Sequence, residues 1–188
     1  MSEKQQGLDR SARSRARRQA LQILYQSEVS ADPAARILAE RTYSTVEVEL
    51  PAEEGADEVF HDDIPLEDYA ATLALGVEEH LDHIDALLDG ASRNWKLWRM
   101  PVVDLNILRI AVYEILYNDE VPVPVAINEA VELARAFAGD ESTKFVNGVL
   151  GGIAKRIEEE KAMSLPTFDA SALPGDEPLS GKEIPSGE

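Results

Sequence analysis

One stretch of this sequence, residues 101–118, is apolar around most of the circumference of a helix. Pro101 opens the stretch, and apolar residues then recur at spacings that leave only a narrow polar strip: Val103, Leu105, Ile107, Leu108, Ile110, Ala111, Val112, Ile115 and Leu116. A helix of this kind is stable in water only when other elements surround it. The stretch therefore predicts a buried helix at the centre of the fold.

Six other segments carry apolar residues at the three- and four-residue spacing of amphipathic helices. They cover about residues 10–29, 33–41, 66–77, 80–92, 124–138 and 141–160. The piece Thr45–Leu50 alternates like a strand, but one strand has no partner with which to form a sheet. The sequence therefore predicts an all-α fold of about seven helices with short connections, in one domain over residues 10–160.

The ends of the chain and one internal segment lack this pattern. Residues 1–9 are polar and are predicted to form a disordered head. Residues 43–64 combine acids with Pro51 and Gly55 and are predicted to be a solvated insertion. Residues 161–188 are rich in Pro, Gly, Ser and acids and are predicted to be a disordered acidic tail.

Charge is unevenly distributed along the chain. The 36 acids outnumber the 18 bases, so the net charge of −18 excludes a uniformly basic nucleic-acid binder. Residues 1–18 nevertheless hold six bases and two acids, whereas residues 42–92 hold fifteen acids and no base. Because exposed charges are screened beyond about 8 Å at physiological salt, the basic start can act as a local anion site.

Several classes of protein are excluded by what the sequence lacks. The absence of Cys excludes a disulfide scaffold, a thiolate zinc site and a cysteine nucleophile. No apolar stretch approaches the roughly 18 residues of a membrane span, and the first twenty residues lack the apolar block of a secretory signal. These features predict a cytoplasmic protein without a membrane contact.

The arginines near the start are the first candidate site. Five of them fall within nine residues: Arg10, Arg13, Arg15, Arg17 and Arg18. Guanidinium groups pair bidentately with phosphates and stack on unpaired bases. Positive charge at a helix N-terminus opposes the helix dipole, so stability does not explain the cluster. Charge alone leaves RNA or another polyanion and a merely solvated helix start equally open.

Two further patterns have a functional and a structural interpretation. His80 and His83 share a helix face and could bind a metal, but no extended motif surrounds them, so a solvated acidic face is favoured over a metal site. A third histidine, His61, is isolated. Three glycines match no phosphate-binding loop and are predicted to permit close helix packing: Gly148, Gly151 and Gly152.

Polar residues on the central segment and one late aromatic are also ambiguous. Internal salt bridges or a narrow exposed strip are favoured over a partner surface for Asp104, Asn106, Arg109 and Glu114. Phe145, beside Lys144, is either an exposed stacking residue or the first core residue of its helix, and the pattern does not choose. No Ser-His-Asp, paired-carboxylate or metal constellation emerges, so an enzyme is not expected.

Four runs of the sequence resemble a known family. Residues 108–116 read LRIAVYEIL, residues 121–134 read VPVPVAINEAVELA and residues 144–150 read KFVNGVL. With RARRQALQILY at residues 15–25, they closely resemble the NusB family of bacterial transcription antitermination factors. The resemblance covers about residues 11–160, is interrupted by the acidic insertion and does not include the tail.

The resemblance implies a fold and a set of partners. The fold is two three-helix bundles in a single domain. The ligands are the boxA element of ribosomal RNA leader transcripts and NusE, a ribosomal protein of the small subunit. The complex joins RNA polymerase with other Nus factors, prevents premature termination and supports ribosomal RNA transcription. Neither catalysis nor a cofactor is implied.

The resemblance also implies roles for individual residues. RNA contacts fall on Arg13, Arg15 and Arg17, with Arg18 as an added charge, and on Lys144 and Phe145. Glu141 is implied to temper RNA affinity. Tyr25 and Asp104 are implied to bind NusE, which favours a partner role for Asp104.

Two alternatives and one further hypothesis accompany this interpretation. Domains resembling NusB also precede RNA cytosine methyltransferase domains, so the chain could be a relic of such an enzyme. It could instead be a pure protein-interaction bundle, in which a homodimer buries the RNA surface. Within the leading interpretation, the acidic insertion of residues 43–64 is hypothesised to shield the basic start when RNA is absent.

Overall fold

A computed structural model describes residues 3–41, 66–92 and 96–164, with side chains described over residues 11–40, 66–92 and 96–160. It contains α1 (Glu3–Ser30), α2 (Ala34–Arg41), α3 (Asp68–Glu79), α4 (Leu81–Ala91), α5 (Val102–Tyr117), α6 (Val123–Phe137) and α7 (Gly139–Ser164). A 3₁₀ turn covers Leu97–Arg99. No strand occurs in the described ranges. The predicted all-α fold is confirmed.

The ends of two helices differ from the sequence prediction. α1 begins at Glu3 rather than near Arg10, so the head predicted to be disordered is helical from Glu3 onward. Its Glu, Lys and Gln residues are good helix formers, which the polar composition of the head concealed. α7 extends to Ser164, past the predicted end near residue 160. The predicted insertion at 43–64, including His61, and residues 165–188 of the predicted tail lie outside the described residues.

The central position of α5 is confirmed. Every residue from Val103 to Val112 is buried. Five helices pack around α5, namely α1, α3, α4, α6 and α7. This surrounding shell is what an all-round apolar helix requires, because any open side would leave apolar surface in water.

The helices form two groups that share α5. In the first group α1, α3 and α5 contact one another, with α2 packed on α1 and α3. In the second group α5, α6 and α7 contact one another, and α4 joins α5 to α7. One continuous core runs through both groups, from Leu21 on α1 to Ile153 on α7. The fold is therefore a single domain built around one common helix.

The three late glycines do not pack against a neighbouring helix. Gly148, Gly151 and Gly152 are exposed, and a Cβ at each would meet nothing within 4 Å. The prediction of close helix packing there is wrong, because residue size does not reveal which face of a helix turns inward. The close approach occurs instead at Gly76 of α3, where a Cβ would collide with the ring of Tyr113 on α5.

Candidate nucleic-acid interface

The arginines of α1 divide into one buried and three surface side chains. Arg17 is only 2% exposed. Arg13, Arg15 and Arg18 are half-buried, with part of each side chain at the surface. The side chain of Arg10 lies outside the described residues. The arginines that are clustered in the sequence therefore divide into an interior side chain and a surface group in the fold.

Arg17 is held inside by two carboxylates from different helices. Its Nε donates to both carboxylate oxygens of Glu114 at 3.0 Å, and its Nη1 lies 3.2 Å from Oε2 of Glu129. Burial lowers the pKa of Arg17, but the hydrogen bond to Glu114 and the two negative charges outweigh it and raise the pKa overall. The guanidinium is thus permanently charged and fully enclosed, and it cannot reach a phosphate in this conformation.

Tyr69 of α3 completes this buried cluster. Its hydroxyl donates to Oε1 of Glu114 and accepts from Nδ2 of Asn118 at 2.9 Å. Burial, together with the hydrogen bond and charge of Glu114, raises the pKa of the Tyr69 phenol. The cluster therefore ties α1, α3, α5 and α6 together beneath the surface arginines.

Two of the surface arginines pair with acids of this same chain. Arg15 donates from Nε and Nη2 to Oε1 of Glu67, at 3.2 and 2.9 Å, and from Nη1 to Ser11 at 2.8 Å. Arg13 lies 3.4 Å from the exposed carboxylate of Glu120. A phosphate that binds here must compete with these carboxylates, both of which are at or near the surface.

The third surface arginine connects α1 to the end of α6. The guanidinium carbon of Arg18 lies 6.0 Å from the ring centroid of Phe137. α7 begins two residues later and carries Lys144, which is exposed, and Phe145, which is half-buried. Phe145 packs against the core with part of its ring and reaches the surface with the rest. Phe145 is therefore part of the core and also partly exposed, and its stacking role stays a prediction.

The two residues implied to bind a protein partner meet in one pocket. This pocket of about 220 Å³ is lined by Tyr25, Pro101, Val102, Val103, Asp104, Phe137 and Ala138. Asp104 is 4% exposed, and its Oδ2 accepts a hydrogen bond from Ser142 of α7 at 2.9 Å. Glu141, the residue before Ser142, is exposed in the first turn of α7. Since Phe137 lines the pocket and also lies under Arg18, the pocket adjoins the arginine-bearing surface of α1.

Two other polar residues of α5, Arg109 and Glu114, form internal salt bridges, and the uncharged Asn106 accepts a hydrogen bond from Arg109 at 3.2 Å. Arg109 pairs bidentately with Asp85 of α4 at 2.9 and 2.8 Å and with Glu28 of α1 at 3.1 Å. Glu114 pairs with Arg17 as described above. For these two residues the internal salt-bridge interpretation of the sequence is confirmed.

Sequence reasoning missed the acids that face the arginines. Glu67 and Glu129 lie 52 and 112 residues along the chain from their arginine partners. No spacing rule connects residues so far apart. Glu114 was the one partner with a sequence signal, because a carboxylate on an otherwise apolar helix requires a buried counter-charge.

The histidine pair belongs to an aromatic cluster. His80 stacks on Tyr117 with ring centroids 3.9 Å apart, and Nδ1 of His83 hydrogen-bonds the Tyr117 hydroxyl. Among the described residues, no three His, Asp or Glu side chains converge as metal ligands. No helix in the described ranges is long and apolar enough to cross a membrane.

Comparison with known proteins gives consistent matches over most of the chain. The NusB family model matches residues 14–155. Transcription antitermination protein NusB of Rubrobacter xylanophilus is 43% identical over 147 residues, which cover 78% of this chain and 92% of that protein. NusB of Nocardioides sp. is 43% identical over 145 residues, which cover 77% and 95% of the two chains.

Solved structures share the fold. NusB of T. maritima has a TM-score of 0.61 and 31% identity, and the match covers 81% of this chain and 97% of that one. A chain in the crystal structure of antitermination factors NusB and NusE in complex with dsRNA has a TM-score of 0.58 and 21% identity, with coverage of 78% and 98%. The arrangement of helices is thus common to all three chains.

Proposed function

This chain belongs to the NusB family of transcription antitermination proteins, and on that premise we propose that it binds boxA RNA of ribosomal RNA leader transcripts together with NusE. The bound complex joins RNA polymerase and other Nus factors and prevents premature termination. The role is regulatory and not catalytic. Support for both ligands comes from the structure of the same fold that holds NusB and NusE in complex with dsRNA.

The observation that carries the RNA proposal is the set of surface cations on α1, one of which reaches the end of α6, where α7 begins. Arg13, Arg15 and Arg18 reach the surface of α1, and Arg18 lies over Phe137. Lys144 and Phe145 follow on the adjoining α7. Cations that neutralise phosphates beside rings that stack on bases are the combination that binds single-stranded RNA.

Arg17 has a different part in this proposal. Its enclosed guanidinium holds α1 against α5 and α6, so it positions the surface arginines without touching RNA. Glu141 and the paired acids Glu67 and Glu120 oppose RNA by their negative charge. The RNA affinity of the chain is therefore a balance between cations and nearby carboxylates.

For NusE, we assign the pocket that contains Tyr25 and Asp104. Its lining combines apolar side chains with one acid, which suits a partner segment that presents an apolar group beside a hydrogen-bond donor. Phe137 belongs to both this pocket and the basic surface. NusE seated there would border the RNA directly.

The test of the RNA proposal is fluorescence anisotropy of labelled boxA RNA, with a scrambled RNA for comparison. We expect preferential boxA binding that tightens when NusE is added. The double variant R13A/R15A should bind more weakly, and its salt slope should be lower by about 1.4, since each phosphate contact to a single strand contributes about 0.7.

The matched control is R36A/K155A, which removes two exposed cations that pair with acids of their own helices. The total charge then changes equally, but away from the proposed surface. Equal weak binding of both RNAs, or an unchanged salt slope in R13A/R15A, would contradict the proposal.

The pocket is tested separately with Y25A and D104N. Both variants should lose the tightening that NusE produces while keeping the RNA affinity of the isolated chain. Retention of the NusE effect in both variants would remove the pocket from the partner surface.

A further inference from the structure

Trp98 is the most exposed large apolar side chain in the parts of the chain that the structure describes. Its side chain is 79% exposed, at the middle of the Leu97–Arg99 turn. The turn is closed by backbone hydrogen bonds from Arg99 to Lys96 and from Met100 to Leu97, at 2.9 and 3.0 Å. Met100 is buried and Leu97 packs against the core. The fold thus anchors both flanks of Trp98 while presenting the indole ring to solvent.

The Trp98 ring already carries a cation on one face. The guanidinium carbon of Arg99 lies 5.0 Å from the ring centroid, within the range of a cation–π contact. With most of the ring in solvent, the opposite face is accessible to a second planar group. A rigid, pre-stacked aromatic ring loses little conformational freedom when such a group binds.

The charge around Trp98 favours an anionic ligand. Residues 96–99 hold Lys96 and Arg99, both exposed, and no acid, in a chain whose net charge is −18. Lys96 lies 3.7 Å from Asp89, and both side chains are exposed, so solvent weakens this pair. A tryptophan next to exposed bases suits a ligand that has both flat rings and phosphates, which is the chemistry of single-stranded nucleic acid.

Trp98 is close along the chain to the pocket that is proposed to bind NusE. Pro101 and Val102 line the pocket that contains Tyr25 and Asp104. Trp98 precedes Pro101 by three residues, a length of chain that spans at most about 11 Å. The turn therefore lies within about 11 Å of the Pro101 end of the pocket, and it packs against α4.

From these observations we propose that the Trp98–Arg99 stack is a binding site for one unpaired base of single-stranded RNA. The base stacks on the open face of the indole, and Arg99 and Lys96 face the phosphates on either side. This inference rests on the proposed RNA-binding function and adds a contact outside the arginines of α1 and the start of α7.

The first experiment measures stacking directly. The chain has two tryptophans, so the variant W95F leaves Trp98 as the only indole fluorophore. Titration with single-stranded hexauridylate should quench Trp98 emission, and blunt duplex RNA of the same length should quench it much less. Base stacking brings the two π systems into contact, whereas an electrostatic contact alone does not.

The second experiment measures affinity for labelled boxA RNA by anisotropy. W98A should weaken binding at least about five-fold, and W98F should restore most of the loss because a phenyl ring also stacks. The control V29A shortens another strongly exposed apolar side chain and should leave affinity unchanged. R99Q should weaken binding more than R36Q, which removes an exposed arginine elsewhere.

The outcomes separate this site from the function on which it rests. Failure of the unmodified chain to bind any RNA would remove the proposed function. If the unmodified chain binds boxA but W98A binds equally well, without quenching by hexauridylate, the Trp98 site is overturned and the function stands. Weakened binding of NusE to W98A in the absence of RNA, with RNA affinity unchanged, would assign the turn to a protein contact and also overturn the proposal.

Discussion

Arg15 and Arg17 lie two residues apart on α1, and their guanidinium groups meet different surroundings. Arg15 pairs with Glu67 at a partly exposed position, where solvent screens the interaction and a phosphate can replace the carboxylate. Arg17 pairs with Glu114 and Glu129 in the interior, where loss of either partner leaves a charge without compensation. Residue type alone therefore does not decide whether an arginine remains at the surface or supports the fold from the interior.

Replacement of Arg17 by alanine should destabilise the fold by about 3–5 kcal/mol, because it leaves Glu114 buried without its cation. R17K should recover part of the loss, since lysine keeps the charge but lacks the fork that contacts both oxygens of Glu114. The measurement is the free energy of unfolding in urea. A control, R36A, should change it little, because Arg36 is exposed. An R17A chain as stable as R36A would mean that the buried cluster does not hold α1 in place.

Replacement of Glu67 by glutamine should strengthen boxA binding about two- to five-fold. The change removes the carboxylate that competes with phosphate for Arg15 and keeps the size of the side chain. E132Q is the matched control, because Glu132 pairs with the exposed Arg135 on its own helix. Fluorescence anisotropy of labelled boxA RNA at a fixed salt concentration measures the affinity of both variants. An equal gain from E132Q would attribute the effect to overall charge instead of the Arg15 pair.

Among the elements, α3 and α7 show how the same residue can have opposite effects in two helices. Gly76 of α3 faces Tyr113 of α5, whose ring occupies the space of a side chain. Gly148 of α7 faces open space. Glycine destabilises the interior of a helix relative to alanine. Packing against Tyr113 explains why a glycine is present at position 76, whereas no packing contact explains the glycine at position 148.

Alanine substitution at these two sites should therefore shift stability in opposite directions. G148A should stabilise the fold by about 0.5–1 kcal/mol, the difference in helix propensity at an exposed site. G76A should destabilise it, because Tyr113 must leave its position against α3. Thermal unfolding followed by circular dichroism measures both. Stabilisation by G76A would show that the Tyr113 ring moves aside at no cost.

In the whole molecule, α5 is the element that both helix groups need. Arg17 with Glu114 joins α1 to α5, and Arg109 with Asp85 and Glu28 joins α1 and α4 to it. The α5 member of each ion-pair group, Glu114 or Arg109, is buried, so its charge needs the partner helices to stay in place. The two groups therefore cannot separate without exposing the same central helix.

Hydrogen exchange should reflect this shared centre. The amides of residues 103–112 should exchange most slowly, and those of the middle of α1 and α6 should open in the same cooperative unfolding event. Exchange measured by mass spectrometry on peptides of each helix tests this. Persistent protection of α6 and α7 after α1 and α3 have exchanged would instead show that the two groups fold independently.

The sequence by itself determined the helices, the burial of α5 and the basic character of α1. These properties depend on the types of residues that lie within three or four positions of one another, so they can be predicted from the pattern along the chain. The four family-like runs likewise depend only on the order of residues. The start of α1 was the exception, because a polar helix carries no apolar period.

Only the tertiary structure decided which arginines remain at the surface, which acids oppose them and that Tyr25 meets Asp104 in one pocket. It also decided that the late glycines face solvent while Gly76 faces Tyr113. Each of these facts joins residues on different helices, such as Arg17 and Glu129, 112 positions apart. Such pairs are set by the rotation and register of packed helices, which depend on the fit of many side chains at once and not on any spacing along the chain.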